Sequence, residues 1–379
     1  MRTSADIIVI GGGIAGMSAA ARIARHADTI ILERESALGY HASGRSATFY
    51  HFGIGNDAVR GMTAASSDFF SAPPVEFGDV TLWTDKPALF IAEAGTIGAL
   101  ETLHTEMGRF SGSVYRASEK DMLDLVPVLR TGPDAIVAGL IDTGGKKLDT
   151  DALLQANARA FRHAGGTLVF DAEVNLITRT ADGWEINAGG ERYSARTIVN
   201  AAGAWADEIA AMAGVRPLGL QPLRRTIIGF APPSDLDVTP WPFTKTVKDD
   251  GFYMLPDAGR LLVSPMDVTP SPPCDAQPEE YDMALAAWRV EEATTLTVGR
   301  IDVRWAGLRT FAPDMVPTAG FAPDCPGFFW LAGQGGYGLQ TSPAMALAVE
   351  AFLFDHAWPE ELESRGVLPE QISPARFWS

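Results

Sequence analysis

Cysteine is nearly absent from this 379-residue chain: Cys274 and Cys325 are the only two, and the six histidines are scattered. Neither a CxxC nor an HxxxH spacing occurs. A disulfide framework and a structural zinc are therefore excluded, and a reducing, cytoplasmic compartment is expected with no metal. Basic residues are also scarce, 30 against 47 acidic ones, a net charge of −17. That balance repels phosphate backbones and anionic membrane surfaces, so no nucleic-acid partner is expected. No apolar run reaches the ~18 residues of a membrane span. The apolar stretch from Ile7 to Ala24 follows Arg2 as a secretory leader would. Asp6 precedes it, however, and Gly11 to Gly13 break it, which argues against a leader. What the chain does contain is ordinary core material: 46% hydrophobic and 20% charged residues, enough for two domains or one large domain with an insertion.

The informative residues come first. Ile7 to Ile10 form a β-branched run, Gly11, Gly13 and Gly16 match G-x-G-x-x-G, and Met17 to Arg25 has helical character. A second β-branched run, Thr29 to Leu32, stops at Glu33, 17 residues after Gly16. Strand, glycine turn, helix, strand and acid in that order predict a dinucleotide site. Gly11 permits the tight turn, Gly13 lets backbone approach a pyrophosphate, Gly16 packs helix on strand, and Glu33 accepts from a ribose hydroxyl. The N-terminal position, the glycine triplet and Glu33 favour the ADP half of FAD.

The pattern predicts an α/β fold. A Rossmann-like, glutathione-reductase-like nucleotide domain is expected over 1–79, 142–215 and 326–379, with a discontinuous antiparallel-sheet substrate domain over 80–141 and 216–325. Asp149 or Thr150 caps a helix running to His163. Asp182-Gly183 joins two strands as a hairpin turn, and a strand from Thr197 leads into a helix ending at Met212. The second stretch is richer in proline and aromatics, as at Pro240-Trp241-Pro242. A buried strand, Phe328 to Ala332, precedes the glycine loop Gly333 to Gly338. A helix capped by Thr341 or Ser342, with Pro343 at its first position, is expected to follow.

The blocks GYHASGRSAT (39–48), LDTDALLQ (148–155), VNAAGAW (199–205), AGVRPLGLQPLRR (213–225), EEATTLT (291–297), WAGLRTF (305–311) and GFFWLAGQGGYGLQTS (327–342) resemble the FAD-dependent D-amino acid oxidase and dehydrogenase superfamily, and within it D-arginine dehydrogenase-like proteins. The resemblance implies extended FAD and a site between two domains. It places Gly11, Gly13, Ile14, Ala15, Gly16, Glu33 and Arg34 on the ADP moiety, and Ser43, Gly44, Arg45, Ser46 and Ala47 near the pyrophosphate and flavin. Val174 falls at the adenine side, with Gly203 and Trp205 after their strand. Gly335, Gly336, Tyr337, Gly338, Leu339, Gln340 and Thr341 lie against the flavin, where a helix N-terminus stabilises negative charge on the reduced ring. Arg225, Tyr253, Arg309 and Gly336 form the catalytic side, the two arginines fixing a substrate carboxylate.

Phe49, His51, Ile54, Ala88, Gly307 and Gln340 fall in the implied substrate pocket. Ala88 stands where the relatives carry a carboxylate that would read a guanidinium, so D-arginine is not the expected substrate. Phe49, Ile54, Ala88 and Phe243 suggest a neutral or aromatic D-amino acid, whereas Lys245 and His51, facing inward, would admit an acidic one. No cysteine lies near Arg309 to Phe311, and Cys325 is 14 positions beyond Phe311, so non-covalent FAD is expected. The expected reaction is oxidative deamination of a free D-amino acid, with the electron acceptor left open. A glycine/sarcosine-type oxidase, a 2-hydroxy acid dehydrogenase and a flavoprotein without turnover are the rival readings.

Overall fold

The computed structural model describes residues 2–378. Its first sheet is built from near-continuous Ile and Val runs, which suit parallel strands buried on both faces. Ser4–Ile10 lies between Thr29–Leu32 and Glu191–Asn200, parallel to both, with Ile8 opposite Ile30 and Ile198. Thr167–Val169 extends the sheet beyond Thr29–Leu32, and the hairpin Val174–Arg179 and Trp184–Ala188 extends it on the other side. Phe328–Ala332 pairs parallel to the last residues of Glu191–Asn200. Alternation sorts the side chains: Ile8, Ile30, Ile198, Phe328 and Trp330 pack one face. Val9, Ile31, Val199, Phe329 and Leu331 pack the other, with residues from the helices Ile14–Ile23, Thr150–His163 and Gly338–Leu353.

The second sheet has nine strands. Gln221–Phe230 and Ile301–Phe311 form its longest antiparallel pair, and Arg260–Ser264, Tyr253–Asp257, Phe243–Thr246, Ala88–Glu93, Ile136–Asp142 and Val114–Ala117 follow in that order. The two expected insertions thus share one sheet. They meet where Phe243 pairs with Ala88, in the sheet's parallel contact. Its outer face packs Leu89, Ile91, Ile228, Phe230 and Val263 with Ala286 and Val290 of the helix Glu280–Ala293. Its inner face, with Ala88, Phe90, Ile227, Phe243 and Tyr253, joins the core beneath the first sheet.

Three expectations change. Thr318–Phe321 was placed in the substrate domain, yet it pairs antiparallel with Phe328–Ala332 and so belongs to the first sheet. The first helix starts at Ile14 rather than Met17, immediately after its cap Gly13. The last helix starts at Gly338, with Pro343 inside it. A helical proline removes the donor to the carbonyl four residues back. Here the Ser342 hydroxyl donates to Leu339 O at 3.0 Å, so that carbonyl keeps a partner and the helix continues.

No helix among the described residues is long and apolar enough to cross a membrane. Among those residues, no group of three or more His, Cys, Asp and Glu side chains could hold a metal ion.

Candidate active site

A continuous cleft runs between the two sheets, from Glu33 and Arg34 at one end to Arg225, Tyr253 and Arg309 at the other. The first end is shaped by backbone. Gly11 has φ +108°, and a β-carbon there would stand 2.5 Å from Ala201 O; one on Gly16 would stand 2.0 Å from Gly11 O. These two glycines let the turn close and the helix sit on its strand, as their spacing predicts. A β-carbon on Gly13 would meet only Ser43 Oγ, at 3.3 Å, so this glycine opens the helix end to the cleft.

Gly12 has a role that the spacing did not reveal. Its N–H donates to Glu33 Oε2 at 2.6 Å, and Glu35 N–H donates to Oε1 at 2.8 Å. Burial raises the Glu33 pKa, and these two bonds oppose the rise. The carboxylate is held at the end of its strand, facing the cleft where a ribose would lie. Arg34 stacks over Trp205 at 4.5 Å, and both line the cleft with Val174 and Gly203.

The loop after Thr29–Leu32 folds back over the helix start. Gly44 N–H donates to Gly39 O at 2.7 Å, and Ser43 Oγ accepts from Ile14 N–H at 2.9 Å. Ser43, Arg45 and Ser46 line the cleft. Gly44 is exposed and Ala47 packs on the core instead. Arg45 is not a free positive group: it donates to Ala276 O and Ala306 O at 3.0 and 3.1 Å and pairs with Asp275 at 2.6 Å. It ties this loop to the second sheet through Ala306. Cys274, which the sequence reading passed over, lies beside it in the cleft wall.

At the second end, Arg225 and Gly307 sit opposite each other on the long antiparallel pair, and Arg309 follows Gly307 on the same face. Arg225 Nε donates to Asp267 O at 2.7 Å. Burial and the neighbouring Arg309 push the Arg225 pKa down to about 9, so it stays charged at neutral pH. Gly335 has φ +54°, and Gly336 abuts Arg309. Two buried polar atoms point to a missing ligand. Tyr253 Oη and Gln334 Nε2 have no hydrogen-bond partner among the described residues, and both residues line this end of the cleft. Orphaned buried donors are uncommon in folded proteins. They fit FAD, which the glycine cradle, the helix start and the held Glu33 at one end and the Gly333 loop at the other would hold. Gln334 was absent from the predicted set; only its neighbours were named.

The implied side-chain pocket is placed differently. Phe49, His51, Ile54, Ala88 and Gln340 do not line the open cleft, nor do Tyr337 and Thr341. Gln340 bonds His51 N–H and O and the Thr63 hydroxyl, clamping two segments together. The Tyr337 hydroxyl donates to Met315 O, and Thr341 Oγ1 to Tyr337 O at 3.0 Å. Ile54 packs with Val59, Phe311 and Tyr337. Ala88 is sealed between Phe243 and Asp142 on the neighbouring strands. Phe49 stacks on Phe243 at 4.4 Å, and Phe243 lies 5.4 Å from Tyr253. These residues form the wall behind Tyr253. His51 is buried in that wall, its Nδ1 accepting from Gly53 N–H at 3.1 Å. Burial, then Lys245, Arg309 and Arg60, push its pKa down to about 3, leaving it neutral at ordinary pH.

Comparisons with known proteins agree with the fold. Human mitochondrial dimethylglycine dehydrogenase is 26% identical over 218 residues, 56% of this chain and 24% of that protein. The chain thus spans about a quarter of that enzyme's length. Glycine oxidase of Geobacillus kaustophilus is 23% identical over 374 residues and 91% of both chains. The dithionite-reduced L-alpha-glycerophosphate oxidase of Mycoplasma pneumoniae, solved with FAD bound, superposes with a TM-score of 0.82 at 19% identity, covering 93% of this chain and 95% of that one. The narrower likeness to D-arginine dehydrogenase-like proteins rests on the sequence blocks alone. The family DAO, FAD dependent oxidoreductase, matches residues 6–351, and the chain belongs to it.

Proposed function

We propose that this FAD-dependent oxidoreductase oxidises the Cα–N bond of a free α-amino acid, the D-enantiomer by its sequence resemblance, with Arg225 and Arg309 holding the substrate carboxylate. One observation carries the reading: two guanidinium groups on adjacent strands line the cleft end closed by the glycine loop, with the unpartnered Tyr253 hydroxyl beside them. Planar guanidinium groups bind a carboxylate through paired, charge-assisted hydrogen bonds, which fixes the orientation of Cα as well as its position. Tyr253 offers a hydroxyl to the same carboxylate or to the amine. Bound FAD supplies the two-electron acceptor. The hydrogen leaves Cα as hydride, the amine nitrogen loses a proton, and water hydrolyses the imine to a 2-oxo acid and ammonia.

His51, neutral and walled off, is not placed to act as the base, so the substrate binds as its free amine or loses its proton on entry. Dimethylglycine and glycine, in the names of two sequence relatives, are amine substrates, and glycerol-3-phosphate and L-2-hydroxyglutarate, in the names of others, are hydroxyl ones, so the names do not choose between the two.

Anaerobic bleaching of the flavin by matched amino acids and 2-hydroxy acids tests the chemistry. Bleaching by hydroxy acids alone would overturn it. Peroxide formed in air, compared with reduction of an artificial dye, assigns the acceptor: stoichiometric peroxide marks an oxidase, and dye reduction without peroxide a dehydrogenase.

A further inference from the structure

We infer that the substrate carries a second carboxylate and that Lys245 receives it; this rests on the amino acid reading above and names the side-chain class. Lys245 lies on Phe243–Thr246, where alternation puts Phe243 and Lys245 on one face and Thr244 and Thr246 on the other. Phe243 belongs to the inner core, so Lys245 projects toward the cleft side of the sheet. Its cross-strand neighbours are Tyr253 and Phe90, both on that inner face.

Lys245 is therefore the strand neighbour of Tyr253, which lines the cleft with an unpartnered hydroxyl; Lys245 itself sits behind that wall and not on the open cleft. Its strand is three places from that of Arg225 in the sheet, roughly 14 Å at the usual strand spacing. Long side chains leaning in from both sides would bring their charged ends within the reach of a short diacid. A bound molecule of that kind would place one carboxylate at the arginines, its backbone near Tyr253, and the other carboxylate at the ammonium.

The balance of charge points the same way. Arg225, Arg309 and Lys245 share one neighbourhood: burial holds Lys245 at about 8, and Arg225 and Arg309 both add to that effect. The anionic groups facing them are few. Asp267 stands 3.8 Å from Arg225, but its oxygens already accept the N–H and hydroxyl of Thr226 at 2.8 and 3.0 Å. Asp249, on the exposed turn after the strand, is the acid whose field reaches Lys245. His51 contributes no charge. Among the described residues neither Lys245 nor Arg309 forms an ion pair, unlike Lys248, which meets Glu93 at 2.7 Å. Lys245 is largely buried and, among the described residues, has no acidic partner in reach of an ion pair. One substrate carboxylate satisfies the arginines and leaves this ammonium unmatched, while a second one matches it.

The test uses the flavin-loaded enzyme, anaerobic stopped-flow reduction, and both enantiomers of aspartate and glutamate beside asparagine and glutamine. The amides have the same shape without the second charge. The acids are expected to reduce the flavin with at least tenfold higher apparent second-order rate constants than their amides. Lys245→Met should remove that preference, lowering the acids tenfold or more and the amides less than threefold, with unchanged FAD content; Lys245→Arg should restore it. Equal rates for acid and amide, or an equal loss for both in Lys245→Met, would overturn the inference while leaving amino acid oxidation intact. Conversely, reduction by 2-hydroxy diacids alone, with the same dependence on Lys245, would sustain the second-carboxylate site and overturn the amine chemistry.

Discussion

A β-carbon at Gly336 would stand 2.8 Å from Nη1 and 3.0 Å from Cζ of Arg309, so the glycine loop and the guanidinium are built against each other. The loop that is to receive the flavin therefore also sets the position of the group that is to hold the substrate. Gly336→Ala should push Arg309 aside without touching the nucleotide end. We expect KM to rise at least tenfold with little change in bound FAD, checked by steady-state kinetics and by the flavin-to-protein absorbance ratio.

Arg309→Ala removes the group itself. A charge-assisted hydrogen bond to a carboxylate contributes about 1.5–3 kcal/mol, so kcat/KM should fall by one to two orders of magnitude, most of it in KM. An unchanged KM would remove Arg309 from the substrate site.

At the other end of the cleft, Gly16→Ala places a β-carbon 2.0 Å from the backbone oxygen of Gly11, where no flexible side chain can yield. The helix must lift off its strand. The variant should purify colourless or unstable, with a melting temperature that no longer rises on adding FAD. Wild-type flavin content in this variant would contradict the tight packing.

His51 links the wall to acid stability. Its proton affinity in the folded protein is lowered to about 3 from an ordinary 6.5, so between those values the unfolded chain binds the proton and the folded one does not. Stability therefore falls as pH drops through that window, by about 1.4 kcal/mol per pH unit for this group. His51→Asn keeps an acceptor for Gly53 N–H and removes the titration. Its acid-unfolding midpoint should lie at lower pH than expected from its stability at pH 7, read by circular dichroism.

Non-covalent binding has a direct check. Acid precipitation should release all the flavin to the supernatant. Colour left in the pellet would implicate Cys274, which lines the cleft, and a Cys274→Ser variant would then release it.

The N-terminal half of the site was legible because backbone chemistry leaves marks in sequence. Gly11 and Gly16 are required by the contacts their missing β-carbons avoid, and Asp149 caps its helix by accepting from Ala152 N–H at 2.9 Å, as its position suggested. The side-chain pocket was less legible, because what faces a cleft depends on strand pairing across long sequence separations. Ala88 meets Phe243 only through the joining of two insertions, and Lys245 reaches the inner face through that same pairing. Arg45 lines the cleft, but only the fold shows that Asp275 already pairs with it. The helix around Pro343 was misjudged because the compensating bond comes from a side chain, Ser342.

The interleaving of the first sheet also bears on how the protein comes into being. Ser4–Ile10 must wait for Glu191–Asn200 to acquire its second parallel neighbour, and Glu191–Asn200 in turn must wait for Phe328–Ala332. Such distant pairings form slowly and leave strand edges open meanwhile. The nucleotide fingerprint, although it is synthesised before Phe328–Ala332, cannot become a flavin site until that strand and the glycine loop behind it have emerged. A chain halted before residue 328 should carry every residue of the ADP motif and still bind no flavin.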